Sequence, residues 1–345
     1  MNMRYIAIVW IVLLAAALPA SGVELIRTFD FPGRTGNGAF SPDGTRLLVS
    51  GGEDISGDGP NLAMVFDVET GEMLHQLEGH EHTVISAAYS PDGAYLLTGG
   101  NDRVAMLWDA ETGEHIRTYD GQGGRVRGLD FAPDGQTFVM AGSNFRVTEM
   151  NVQSGEVVQQ YFWGTRTVAY SSQGDRIAAV YPHGGGRIWE RATGELAISW
   201  DDRTRSLEFS PDGSTILTTG THPTTGTLSF FLRDAASGAL IREFRADPSD
   251  PDSGPARVNV AAFLPDGRHV TTFSGFSGRR GLHVWDTVTG AWPPLDKTRR
   301  ATPRASPSHR MERWLRPPTL RARCAFGAST STRPSSLRPS RRQPS

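Results

Sequence analysis

The sequence predicts an all-β fold built from one four-stranded unit repeated six times. Two observations carry that expectation. A Ser-Pro-Asp-Gly turn or a close variant recurs at Ser41-Pro42-Asp43-Gly44, Ser90-Pro91-Asp92-Gly93, Ala132-Pro133-Asp134-Gly135, Ser210-Pro211-Asp212-Gly213 and Leu264-Pro265-Asp266-Gly267, with a degenerate Ser171-Ser172-Gln173-Gly174. The distance from turn glycine to a large apolar residue is also constant, 15 from Gly93 to Trp108, from Gly135 to Met150 and from Gly174 to Trp189. Equal spacing of turn and anchor means one supersecondary unit copied along the chain.

Residues 84–120, VISAAYSPDGAYLLTGGNDRVAMLWDAETGEHIRTYD, show the unit at its clearest. Residues 84–89 form the first strand. Pro91 presets φ and Gly93 accepts the left-handed conformation of a hairpin turn. Residues 94–98 are the second strand, 99–102 a turn and 104–108 a third strand ending at Trp108-Asp109; Thr112-Gly113-Glu114 turns the chain into a fourth, residues 115–119. Four short strands in roughly 40 residues cannot cover both their faces, so the unit needs stacked neighbours.

Gly79-His80, the Ser-Pro-Asp-Gly turns, Leu107-Trp108-Asp109, Ile188-Trp189-Glu190 and Val284-Trp285-Asp286 together resemble the WD40 repeats of β-propellers, over roughly residues 24–290. The resemblance implies a WD40-type propeller that holds partners rather than transforming them, an expectation resting on fold alone. It also implies structural roles for His80, Thr98, Asp102 and Trp108, which match the buried hydrogen-bond network of many WD40 blades. A buried indole N–H needs an acceptor, and a hydroxyl relayed to histidine and aspartate supplies one. Blades three and four lose this set, with Met140, Asn144 and Met150 in one and Ala179, His183 and Trp189 in the other. Blade five has Arg233-Asp234 at the Trp-Asp position and an insertion at residues 221–227, and an acidic loop, DPSDPDSGP, precedes blade six.

The ends differ from the body. Arg4, an apolar run over residues 5–18, Pro19 and the small residues Ala20-Ser21-Gly22 have the parts of a secretory signal peptide, residues 1–22; the alternative is an uncleaved anchor, for which the apolar run is short. The propeller is expected over residues 23–292. Export is compatible with a single cysteine, Cys324, which excludes disulfides within one molecule. Lys297 is the sole lysine, as expected of a GC-rich, bacterial gene. Residues 293–345 hold thirteen basic and two acidic residues, a net +11 that leaves −13 on the rest of the chain. Crowded with Pro, Ser, Thr and Arg, this tail reads as disordered. A basic tail could bind phosphate backbones or anionic membranes, but the expectation is a frameshift. Read one frame over, codons compatible with residues 306–330 spell AFSPDGTMVASADVEGAVRVWRLD, again with 15 residues from glycine to tryptophan. Residues 24–30, ELIRTFD, resemble the fourth strand EHIRTYD of blade two and would complete this seventh blade, closing the ring and removing sheet edges.

Three patterns could carry chemistry. Asp54, Ser56 and Asp58 with Gly59 make a partial calcium loop, but Val65 stands where a bidentate glutamate belongs. Tyr181-Pro182-His183-Gly184-Gly185-Gly186 resembles a lipase oxyanion segment, yet no Gly-x-Ser-x-Gly elbow accompanies it, and the glycines read as a tight loop. The third pattern is positional. Four residues before the aromatic that precedes each first turn stand Ile85, Arg127, Arg166 and Arg205. Three guanidinium groups at one mouth of an acidic body would form an anion site, unless Asp130, Glu208, Asp201 or Asp202 pairs with them. The expectation is an exported, periplasmic or extracellular scaffold without a cofactor, binding a protein or peptide, acidic at its contact point, on one face. The acidic body argues against nucleic acid. The competing readings are a propeller enzyme, quinoprotein or hydrolase, and a non-functional frameshifted product.

Overall fold

The computed structural model describes Phe29, Phe31 and residues 34–52, 61–120, 123–163, 166–181, 185–221, 228–244, 260–274 and 281–290, all before the point near Thr302 where the chain divides into two units. Every described element is a β-strand. Blade one holds β1 (Arg34–Phe40), β2 (Arg46–Gly52), β3 (Leu62–Asp67) and β4 (Met73–Glu78); blade two holds β5 (Val84–Tyr89), β6 (Tyr95–Gly100), β7 (Ala105–Asp109) and β8 (His115–Tyr119). Blade three holds β9 (Val126–Phe131), β10 (Thr137–Gly142), β11 (Arg146–Asn151) and β12 (Val157–Phe162), and blade four β13 (Val168–Tyr170), β14 (Arg176–Tyr181), β15 (Gly185–Glu190) and β16 (Leu196–Trp200). Blade five comprises β17 (Arg203–Phe209), β18 (Thr215–Thr221), β19 (Leu228–Asp234) and β20 (Leu240–Phe244); three strands of blade six are described, β21 (Val260–Phe263), β22 (His269–Ser274) and β23 (Gly281–Asp286). Within each blade the strands pair antiparallel in sequence order. The first strands, β1, β5, β9, β13, β17 and β21, stand side by side from blade to blade.

The repeated turn explains why the blades are alike. In each, the glycine N–H donates back across the turn, from Gly93 to Ser90 O at 2.9 Å and from Gly213 to Ser210 O at 2.8 Å, with φ of 74° and 73°. The aspartate braces it: Asp92 Oδ1 accepts from Ser90 Oγ at 2.6 Å and from Ala94 N–H at 3.0 Å. The Ser90 hydroxyl and the Ala94 amide hold that carboxyl below the usual carboxylate range.

Stacking then decides burial. Second strands are buried on both faces, as in β2 and β10, whereas the fourth strand β8 is exposed except at Tyr119. The core therefore lies between blades. Leu97, Leu107 and Tyr119 of blade two meet Phe131, Phe138 and Met140 of blade three in one apolar cluster; Val139 and Tyr161 meet Tyr170, Ile177 and Trp189 in the next. Blade one packs Phe66 against Phe29, ring centroids 5.2 Å apart.

Two details differ from the expected boundaries. The second strand of blade two runs on through Gly100, because Gly99 and Gly100 still pair with Ser86 and Val84, and the turn closes one residue later at Arg103, φ 75°. Of the glycines expected to make a tight loop in blade four, Gly185 and Gly186 open β15: a Cβ on Gly186 would lie 2.0 Å from Trp200 Cζ2, so glycine is there to admit that ring. Residues 1–22, the rest of 24–30, Asp54, Ser56 and Asp58, residues 182–184, 222–227 and 247–255, and the tail 293–345 with Cys324 lie outside the described residues.

Candidate partner-binding face

Because first and second strands are joined by the Ser-Pro-Asp-Gly turns at one end of the blades, the opposite end carries the start of every first strand. There the register skips in the same way in several blades. Val84 pairs with Gly100 and Ser86 with Gly99, leaving Ile85 unpaired; Val126 pairs with Gly142 and Gly128 with Ala141, leaving Arg127; Thr204 pairs with Gly220 and Ser206 with Thr219, leaving Arg205. These are β-bulges, which release one residue from the ladder and re-aim its side chain. Arg166 stands just before β13, its N–H reaching Val180 O at 3.4 Å while Val180 N–H reaches Thr167 O at 3.1 Å.

The structure brings Arg127 and Arg166 together. A Cβ on Gly128 would lie 2.8 Å from the Arg166 carbonyl oxygen, so glycine lets β9 approach the start of blade four. Burial, then the positive charges of Arg166 and Arg125, lower the Arg127 pKa below the usual guanidinium range. Arg166 and Arg205 are exposed and Arg127 is half-buried. The acids expected to neutralise them are engaged elsewhere. Asp201 pairs with Arg187 at 3.0 Å, and Asp202 holds Arg233 and accepts from Thr204 Oγ1 at 2.5 Å. Asp130 accepts from the Tyr170 amide at 2.8 Å and Glu208 from the Phe263 amide at 3.4 Å. Among the described residues no carboxylate forms an ion pair with Arg127, Arg166 or Arg205.

Those last two acids sit one residue before the aromatic of β9 and β17, where blades one, two, four and six have Ala39, Ala88, Ala169 and Ala262. Each carboxylate bonds to the first strand of the following blade. Burial pushes both pKa values up to about 7, and the charge of Asp130 adds to the rise at Glu208.

In blade two, His80, Thr98, Asp102 and Trp108 converge. Trp108 Nε1–H donates to Thr98 Oγ1 at 2.8 Å, Thr98 Oγ1 lies 2.8 Å from His80 Nε2, and His80 Nδ1 lies 2.7 Å from Asp102 Oδ2, which also accepts from Glu81 N–H at 3.0 Å. Burial works against the charge on Asp102, but the bond from His80 keeps its carboxyl below the usual range. Such a closed, buried relay holds a fold together and leaves no group facing solvent to act on a substrate. Blade six repeats its core, Trp285 Nε1–H donating to Thr272 Oγ1 at 2.8 Å.

Blade three replaces the network by one the sequence reading missed. Glu149, only 1% exposed, accepts from Arg191 Nε at 2.7 Å, from Thr137 Oγ1 at 3.0 Å and from Tyr161 OH at 3.2 Å. Arg191 Nη2 also donates to Thr137 Oγ1 at 2.9 Å, and its guanidinium lies 5.3 Å from the Tyr170 ring centroid. A signal existed. Glu149 occupies the column filled by Leu107, Ile188 and Leu232, and Arg191 the column of Ala110 and Ala235.

Among the described residues no three His, Cys, Asp or Glu side chains converge as metal ligands, and no helix is long and apolar enough to cross a membrane. In comparison with known proteins, the family described as WD domain, G-beta repeat matches residues 71–109 and 113–147, which span the last strand of blade one, blade two and the first strands of blade three. The chain is 38% identical to intraflagellar transport protein 122 homolog of Xenopus tropicalis over 65 residues, 19% of this chain and 5% of that protein. It is 35% identical to periodic tryptophan protein 2 homolog of Neurospora crassa over 77 residues, 22% of this chain and 8% of that one. The matches thus cover only a small part of either relative.

Proposed function

We propose that this chain of WD40-like repeats is a non-enzymatic scaffold, exported from the cytoplasm, that holds an acidic segment of a protein or peptide on the face bearing Arg127, Arg166 and Arg205. The observation that carries the reading is the repeated bulge. It releases Arg127 and Arg205 from the ladder in blades three and five, and Arg166 stands at the matching place just before β13, all three unpaired with any described carboxylate while the nearby acids bond elsewhere. Guanidinium groups fixed on strands are pre-organised for carboxylates, whose charge-assisted hydrogen bonds to arginine are among the strong ones. The net charge of −13 outside the tail would repel a polyanion at long range, so the attraction is local.

The test is recovery of partners from an extract of the source cells on immobilised protein, with Arg127→Ala, Arg166→Ala and Arg205→Ala combined. The expected result is loss of an acidic partner while the thermal melt stays unchanged, since these side chains fill no core. Equal recovery by the triple variant would sink the proposal. Processing of residues 1–22 is checked by N-terminal sequencing of the periplasmic or secreted fraction; retention of Met1 in a cytoplasmic fraction would refute export.

A further inference from the structure

Beside the arginines the same end of blades three and four exposes aromatic side chains that the core does not use. Phe145 is 49% exposed and Trp163 63% exposed, and both rings meet Tyr181, centroids 5.5 Å and 6.4 Å away. A backbone bond from Trp163 N–H to Phe145 O at 2.8 Å fixes the two segments to each other. Both residues have left-handed backbones, φ 64° and 83°, a conformation that costs a bulky side chain about 1–3 kcal/mol and tends to gather at functional sites. At Phe145 the conformation belongs to the turn, since Arg103 adopts φ 75° in the corresponding turn of blade two. The aromatic side chain belongs to blade three alone, and neither turn nor core asks for it.

The cluster ends in positive charge on two sides. Arg166 stands opposite Val180, one residue from Tyr181, and on the outer side Arg146 lies over Phe162, 5.9 Å from its centroid, with Phe162 56% exposed. Exposed aromatics beside arginines are the composition of an interface centre, where aromatic and arginine side chains carry most of the binding energy. Singly exposed apolar residues need no explanation, but three joined rings flanked by cations do.

Building on the acidic-partner reading, we propose that Phe145, Trp163 and Tyr181 form a platform for one bulky apolar side chain of that partner, flanked on either side by Asp or Glu that reach Arg166 and Arg146. Aromatics interleaved with arginine also suit stacked bases. The peptide is favoured because a phosphate chain would run against the net −13 of the body.

The experiment is selection of random dodecapeptides displayed on phage against the full chain, followed by affinity measurement of the enriched peptides. Enriched peptides should carry Phe, Trp, Tyr or Leu between acidic residues. Replacing that apolar residue by Ala, or Trp163→Ala with Phe145→Ser in the protein, should weaken binding by about 30-fold, as for loss of one hot-spot anchor. Circular dichroism melts of the variant should superpose on the parent. Acidic peptides that lack an apolar residue and bind the platform variant as tightly as the parent would overturn the platform and leave the arginine reading standing. Apolar peptides without acidic residues that depend on Trp163 but not on the arginines would overturn the acidic partner instead. Enrichment of nothing, or tighter Trp163-dependent binding of oligothymidylate than of any peptide, would overturn the proposal outright.

Discussion

Replacing Arg191 by methionine should be among the most damaging single changes in blades three and four. Arg191 supplies the only described cation to Glu149, at 2.7 Å, and bonds also to Thr137 Oγ1 at 2.9 Å and the Gly174 carbonyl at 3.1 Å. Methionine would fill much of the stem's volume but leave Glu149, 1% exposed, with hydroxyl donors alone, from Thr137, Tyr161 and Tyr170. Breaking a buried pair on one side costs about 3–5 kcal/mol. Because the Arg191 side chain keeps 23% of its accessibility, water can compensate part of the loss, and the lower end, about 3 kcal/mol, applies. In a domain of this size that lowers the melting temperature by on the order of 10 °C. Glu149→Met with Arg191→Met removes both charges together and should recover most of the deficit, since a buried pair replaced by packed apolar groups is often neutral. The assay is a double-mutant cycle by thermal and urea denaturation, read by tryptophan fluorescence. A loss below about 1 kcal/mol in Arg191→Met, or a double variant as destabilised as the sum of the singles, would refute the view that the network replaces the missing blade-two relay.

Other perturbations test neighbouring parts of the argument. Thr98→Val keeps shape but takes the acceptor from Trp108 Nε1 and the partner from His80 Nε2; it should cost about 1–3 kcal/mol, and an unchanged urea midpoint would show that the relay contributes nothing. Gly186→Ala forces its Cβ against Trp200, whose Nε1–H donates to Thr204 Oγ1 at 3.0 Å. About 1–3 kcal/mol should be lost to overpacking, with a changed tryptophan emission, and a parent-like spectrum and melt would contradict the close approach. The carboxyls of Asp130 and Glu208 are raised to about 7 in the fold, so the folded state holds more protons than the unfolded state between the ordinary carboxylate range and pH 7. Their contribution is present at low pH, falls as pH rises and is lost above about 7. Asp130→Asn with Glu208→Gln should flatten the urea midpoint between pH 5 and 8, and parallel curves for parent and variant would reject the shift.

What was legible in the sequence is what repeats. The turn aspartates and glycines act locally through hydrogen bonds two or three residues away, so Ser90-Pro91-Asp92-Gly93 announces its hairpin without help from the rest of the chain. The tryptophan of blade two announces its own environment for a related reason, since Trp108 needs an acceptor and the spacing of Thr98 and His80 provides it. Glu149 and Arg191 were not legible by that route, because they are 42 residues apart and match no motif. Their clue is the departure of two columns from the apolar residues of sibling blades. The carboxylates in β9 and β17 were visible as acids, but as partners for the arginines. Their engagement by the Tyr170 and Phe263 amides depends on how one blade meets the next, which no single repeat contains. The aromatic platform escaped for a similar reason: Phe145 and Trp163 meet through the pairing of β11 with β12, and only the stacking of blades three and four brings Tyr181, at the end of β14, against them.

The bulge at the start of the first strands has a bearing on how such a chain can change over generations. Ile85, Arg127 and Arg205 occupy positions released from ladder pairing, and Arg166 begins its strand at the matching place. A substitution there leaves the turn chemistry, the interblade cores and the tryptophan relays untouched, so selection on recognition meets little opposition from selection on folding. Blades two to five thus each offer one letter that can be rewritten independently of the others. A row of such letters lets a lineage exchange one binding preference for another by point changes, without passing through sequences that fail to fold.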